Sequence, residues 1–209
     1  MAYKVALSPE DRSTNTYHKN ALWQGEPTNE HEQMCRCADL LEQELVRCGF
    51  EVKNMQYGNM YDRVHDGNEW KADLYIALHT NGFDGKVAGT RVHCYPSDKS
   101  RKIGKLIQER IAPLSPGTSD KLVESTSLYE LKATHMAAVL PEFGFHDNLP
   151  EAQWLIDNMG TIAQETAKAV CEYFGVAYVA NEVEKTDSKV VYEVHKIVNG
   201  ETVKVWVLD

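Results

Sequence analysis

The chain has 209 residues, 43% of them hydrophobic and 25% charged, which is the make-up of a water-soluble globular protein with room for one sizeable core and a small appendage. A formal net charge of −9 argues against a nucleic-acid partner, because a phosphate backbone attracts Lys and Arg. No window approaches the ~18 consecutive apolar residues of a membrane-spanning helix.

Residues 3–9, YKVALSP, predict a short strand stopped by Ser8-Pro9. Residues 10–28 are polar and read as a loop. Residues 28–50 predict a helix that Thr28 or Asn29 can cap, with Met34, Cys37, Ala38, Leu41 and Leu45 at helical spacing and Gly49 as its stop. A strand over 50–57, a helix or helical turn over 59–72 and a buried strand, DLYIALH, follow. Residues 89–96 predict another strand, and 100–114 an amphipathic helix. The stretch 111–132 reads as long and irregular, of the kind that borders a site. An apolar strand over 136–145 and one long or two short helices over 149–176 complete the domain. Strands alternating with helices predict an α/β fold, with a mostly parallel twisted sheet flanked by helices. Residues 177–189 form a polar linker, and 190–209 alternate apolar and polar around Asn199-Gly200, the signature of a short C-terminal β-hairpin. The plan is therefore a domain at 1–176, a linker at 177–189 and a hairpin tail at 190–209.

Five cysteines occur, Cys35, Cys37, Cys48, Cys94 and Cys171. Their number is odd and no zinc-like spacing appears, so they read as small core residues of a protein made in a reducing cytoplasm. The opening residues, MAYKVALSPE, show no apolar stretch and no cleavage signal of a secretory leader.

The chemistry gathers at three positions. His79 ends an apolar strand just before Thr80, Asn81 and Gly82, and open α/β sheets present ligand-binding groups at the carboxyl ends of their strands. Glu30 sits in the first turn of the first helix. Glu142 lies within VLPEFGF, flanked by Val139, Leu140, Phe143 and Phe145. A carboxylate in such surroundings is costly unless a partner charge or metal compensates, and the same surroundings raise its pKa toward the range of a general acid/base. His31, His65, His93, His135 and His195 have no motif partner and read as surface or packing residues.

Taken in order, Glu30 with Ala38 and Leu41, ALHTNGF around His79, and MAAVLPEFGFHDN around Glu142 resemble the zinc-dependent N-acetylmuramoyl-L-alanine amidase family, amidase type 3. The resemblance covers roughly residues 3–175. It implies Zn2+ held in part by Glu30 and His79, Glu142 as the catalytic glutamate, and peptidoglycan or a muropeptide as substrate, cut at the amide between N-acetylmuramic acid and L-alanine. One departure stands out. The family's first strand ends D-x-G-H-G-G and supplies a histidine ligand, whereas this strand ends ALSPEDRSTN, with Asp11 where the histidine falls. A catalytic zinc takes three protein ligands, so the third must come from elsewhere: His146 first, then Asp11, then His18. A metal-free peptidoglycan-binding module is the alternative that this departure favours, and a zinc hydrolase of another amide bond is a third. The lack of a leader is what a phage endolysin or a prophage-derived autolysin, released to the wall by a separate pore, would show.

Overall fold

The computed structural model describes residues 2–181 in full, and the backbone paths of 191–198 and 201–208. In chain order the elements are β1 (Lys4–Pro9), β2 (Leu22–Trp23), β3 (Glu26–Pro27), α1 (Glu30–Arg47), β4 (Glu51–Asn54), α2 (Met60–Glu69), β5 (Leu74–Asn81), β6 (Arg91–Cys94) and α3 (Asp98–Ile111). A 3-10 turn (Ala112–Leu114), β7 (Lys121–Glu124), α4 (Tyr129–Lys132), β8 (Ala137–Phe145), α5 (Leu149–Asp157), α6 (Met159–Phe174), β9 (Val191–Val198) and β10 (Glu201–Leu208) follow.

Six strands form one sheet in the order β4-β1-β5-β8-β6-β7. Every neighbouring pair runs parallel except β6, which lies antiparallel to β8. The central strands are covered on both faces, which is why they read as nearly continuous apolar runs. Side chains alternate along each strand. Val5 and Leu7 of β1 and Leu74, Ile76 and Leu78 of β5 join the larger core, under α1, α3, α5 and α6. Ala6, Tyr75, Ala77, Ala138 and Leu140 point the other way, to a smaller core under α2 and α4.

Helix α1 begins where Asn29 accepts the N–H of Glu32 at 3.0 Å. It buries Met34, Cys37, Ala38, Leu41 and Leu45, the apolar spacing of its sequence. The stretch 149–176 resolves into two helices that break at Asn158, and Gly175, left-handed at φ 70°, stops the second. The stretch 111–132 is less irregular than its composition implies: it holds the edge strand β7 and the single-turn helix α4. The first loop carries its own small hairpin, β2 with β3.

The chain divides into two compact units at Val179 and Ala180. In the second, β9 and β10 pair antiparallel, with Val198 opposite Glu201. The expected turn at Asn199-Gly200, the linker from 182 onward and the side chain of His195 lie outside the described residues. Among the described residues, no helix is long and apolar enough to cross a membrane.

Candidate metal centre and active-site cleft

The site is built at the carboxyl ends of β1, β5 and β8. The β1–β5 ladder continues one residue past β1, where the Glu10 N–H donates to the Leu78 carbonyl at 3.0 Å. The buried guanidinium of Arg63 holds the same corner by donating to the carbonyls of Pro9 and Tyr57. Alternation then places Ser8 and Glu10 of the first strand on the same face as Tyr75 and His79 of β5. Glu30 arrives from the first turn of α1. Its carboxylate accepts the Thr80 N–H at 2.6 Å and the Asn15 side-chain amide at 2.8 Å, and so ties the helix to the end of β5.

These three meet at one atom. Nδ1 of His79 lies 3.3 Å from Glu10 Oε2 and 3.4 Å from Glu30 Oε1. Each residue offers one ligand atom, and the three atoms lie within 4.8 Å of one another. Glu10 and Glu30 are both buried. The other Glu10 oxygen accepts the Arg12 N–H at 2.8 Å. Burial pushes the Glu10 carboxyl up, but the hydrogen bond and charge of His79 together with the Arg12 N–H outweigh it and hold the group far below the usual carboxylate range. Burial likewise pushes His79 down, and Glu10, Glu130 and Glu30 override it, so the imidazole is held well above its ordinary value. On the far side of the ring, Nε2 is 3.4 Å from Glu130 Oε2. Two buried carboxylates sharing one imidazole nitrogen form an acceptor set that wants a positive charge. Two oxygens and one nitrogen are also donors a zinc ion accepts, so the residues present fit a divalent metal.

Glu142 stands opposite His79 in the β5–β8 register. Its apolar neighbours Val139 and Phe143 point into the larger core on the opposite face. The carboxylate itself meets polar groups: the side-chain amide of Asn81, and Nε2 of His93 at 3.3 Å. His93, read from the sequence as surface or packing, is therefore part of the site. A bulge in β8, where the three steps from Glu142 to Phe145 span the two from His79 to Asn81, lets this edge open. The result is a cleft of about 360 Å³ whose walls include Glu10, Glu30, His79, Leu140, Glu142 and His146.

The three residues expected as a third ligand lie apart from the Glu10–Glu30–His79 group. Asp11 is not one of the three residues whose ligand atoms converge, and its carboxylate accepts the Met60 N–H at 2.9 Å, at the start of α2. His18 spends its backbone N–H on the His146 carbonyl at 2.7 Å, and its Nδ1 faces the Asn20 N–H. His146 lines the cleft, but its Nδ1 is 3.0 Å from the Thr80 hydroxyl and its ring stacks on Tyr17. The residue beside Glu30 and His79 is Glu10. Alternation is the signal that finds it: side chains an even number of places from Ala6 share the site face, and Asp11 is an odd number away.

The family model described as N-acetylmuramoyl-L-alanine amidase, amidase type 3, matches residues 16–172, so it starts beyond Glu10. The chain is 33% identical over 102 residues to an uncharacterized cell wall amidase of Bacillus anthracis, covering 44% of this chain and 19% of that protein. It is 29% identical over 97 residues to the uncharacterized protein YqiI of Bacillus subtilis, covering 45% and 47%. The chain thus spans less than half the length of these curated relatives. Solved structures share the fold, two amidases among them. The catalytic domain of CwlV, an N-acetylmuramoyl-L-alanine amidase from Bacillus (Paenibacillus) polymyxa var. colistinus, matches with a TM-score of 0.70 at 22% identity, over 85% of this chain and 100% of that one. The CwlD amidase from Clostridioides difficile, solved with the GerS lipoprotein, matches with a TM-score of 0.71 at 20% identity, over 83% and 98%. Because the family match runs through most of the chain, and over the very strands that carry His79 and Glu142, the protein belongs to the N-acetylmuramoyl-L-alanine amidase family.

Proposed function

We propose that the protein is a zinc-dependent amidase of the bacterial cell wall, hydrolysing the amide between N-acetylmuramic acid and L-alanine in peptidoglycan. Glu10, Glu30 and His79 hold the metal, and Glu142 is the catalytic acid/base. The observation that carries this reading is the Glu10–Glu30–His79 group lying across one sheet edge from Glu142, in a member of this family. Residues 1–176 form the catalytic domain, 177–189 the linker and 190–209 a hairpin tail.

Zinc, when bound, supplies Lewis acidity that polarises the amide carbonyl and eases deprotonation of water. The remaining chemistry belongs to the chain. Glu142 takes the proton of the attacking water and returns it to the departing alanine nitrogen. Asn81 and His93 hold one oxygen of Glu142 and leave the other for this exchange. Glu10 and Glu30 contribute two negative charges, which neutralise a divalent cation in a poorly hydrated site.

Elemental mass spectrometry on the purified chain tests the ligand set. We expect about one zinc per chain, lost in Glu10→Ala, Glu30→Ala and His79→Ala and kept in His146→Ala. Glu142→Gln should keep its metal and cleave muropeptide about 10²–10⁴-fold more slowly. Zinc lost in His146→Ala and kept in Glu10→Ala would move the third ligand to His146. No zinc in the wild type, even after supplementation, would leave a metal-free wall-binding module.

A further inference from the structure

The smaller core contains a carboxylate that the proposed chemistry does not use. Glu130 sits on the one-turn helix α4 and is 5% exposed. The next residue, Leu131, and Glu130's hydrogen-bond partner Tyr75 both belong to that core. A buried carboxylate is costly there, and among the described residues it makes no contact with Lys or Arg within salt-bridge range. Its hydrogen bonds show what it faces. Oε1 accepts the Ser8 hydroxyl at 2.7 Å and the Tyr75 hydroxyl at 2.8 Å, and Oε2 lies 3.4 Å from Nε2 of His79.

The geometry points to Glu130 as the residue that positions His79 for metal binding, fixing Nδ1 as the ligating atom. This inference rests on the metal reading given above. The argument is one of lone pairs. A carboxylate oxygen only accepts, so each ring nitrogen that faces one carries a hydrogen in the metal-free protein. A metal ion can take the place of the hydrogen only on Nδ1, where two carboxylates converge, and Nε2, facing Glu130 alone, keeps its own. With hydrogen on Nε2, the lone pair of the metal-bound ring lies on Nδ1, which points at Glu10 and Glu30. The opposite tautomer would set the Nε2 lone pair against the Glu130 oxygen and turn an N–H into the ligand cluster. Ser8 and Tyr75 complete the support. Each donates to the oxygen that does not face His79, so the carboxylate plane is held from β1 and β5, the strands that lead into Glu10 and His79 themselves. Ligand histidines that donate their second ring N–H to a carboxylate are commonly tuned this way, and loss of the partner weakens metal binding about 10–100-fold.

The test measures zinc affinity on the full 209-residue chain by competition with a chromogenic chelator, alongside 15N spectra of the His79 side chain in the zinc-loaded protein. Wild type should bind zinc through Nδ1 and show a slowly exchanging proton on Nε2. Glu130→Ala should bind zinc about 10–100-fold more weakly and lose that slow proton. Glu130→Gln keeps an acceptor oxygen and should recover most of the affinity, which a purely structural role for the charge would not produce. Tyr75→Phe and Ser8→Ala each remove one donor from Glu130 and should give smaller losses in the same direction, so they carry the test if Glu130→Ala does not fold. Zinc binding within twofold of wild type in Glu130→Ala, or ligation through Nε2, would overturn the inference while leaving the metal centre intact. Failure of the wild type to bind zinc would overturn both.

Discussion

His93 sends Nε2 to within 3.3 Å of the Glu142 carboxylate, and its Nδ1 is buried with no hydrogen-bond partner among the described residues. One good hydrogen bond thus goes to Glu142, and a hydrogen bond to a charged group contributes about 1.5–3 kcal/mol. His93→Ala should therefore lower kcat by about tenfold or more while the zinc affinity stays at its wild-type value. An unchanged kcat would remove His93 from the machinery. The placement of His93 beside Glu142 was legible in RVHC, because Val92 and Cys94 alternate into the larger core and Arg91 and His93 must face the other side. Glu10 was legible by the same rule. Counting places in a motif put the family's histidine at Asp11, and a shift of one residue along a strand exchanges its faces. Glu130 was not legible, since neither composition nor spacing shows that one turn of helix would pass beneath His79.

At the level of elements, the long strands and helices followed from apolar periodicity, and the short ones did not. β7 and α4 have four residues each, too few for a repeat to register. The reversal of β6 also carries no local signature, since strand direction depends on partners distant in sequence. The turn into β6 is set by Gly89, whose φ of +138° L side chains rarely adopt, and a Cβ there would lie 2.5 Å from the Ser119 nitrogen. Gly89→Ala should thus cost about 2 kcal/mol or more and lower Tm by roughly 4–8 °C in a calorimetric scan. An unchanged Tm would mean that the 117–119 segment yields without cost.

Across the whole molecule, the cysteines report how firmly the core is closed. All five are free thiols. Burial pushes Cys37 and Cys171 up to about 12 and Cys35 up to about 11, from an ordinary value of 9.0. The sign follows directly. In the folded protein these thiols hold their protons, whereas in the unfolded chain they lose them above 9.0, so their contribution to stability is complete below that pH and declines from there toward 12. Urea midpoints measured from pH 7 to 11 should stay level to about pH 9 and then fall. The decline should shrink in a chain with Cys37→Ala and Cys171→Ala, and a decline of undiminished size would assign it to other groups.

The antiparallel setting of β6 has a consequence for what such a domain can become. Loop 82–90 leaves the end of β5 and enters β6 on the same edge of the sheet, because β6 runs backward beside β8. It begins at Gly82, in the wall of the cleft, and never travels to the opposite edge. Insertions or deletions in this loop can redraw the mouth of the cleft while every strand ladder keeps its register. Selection for a different substrate thus has a place to work that lies outside the strand ladders, in the part of the loop before Gly89.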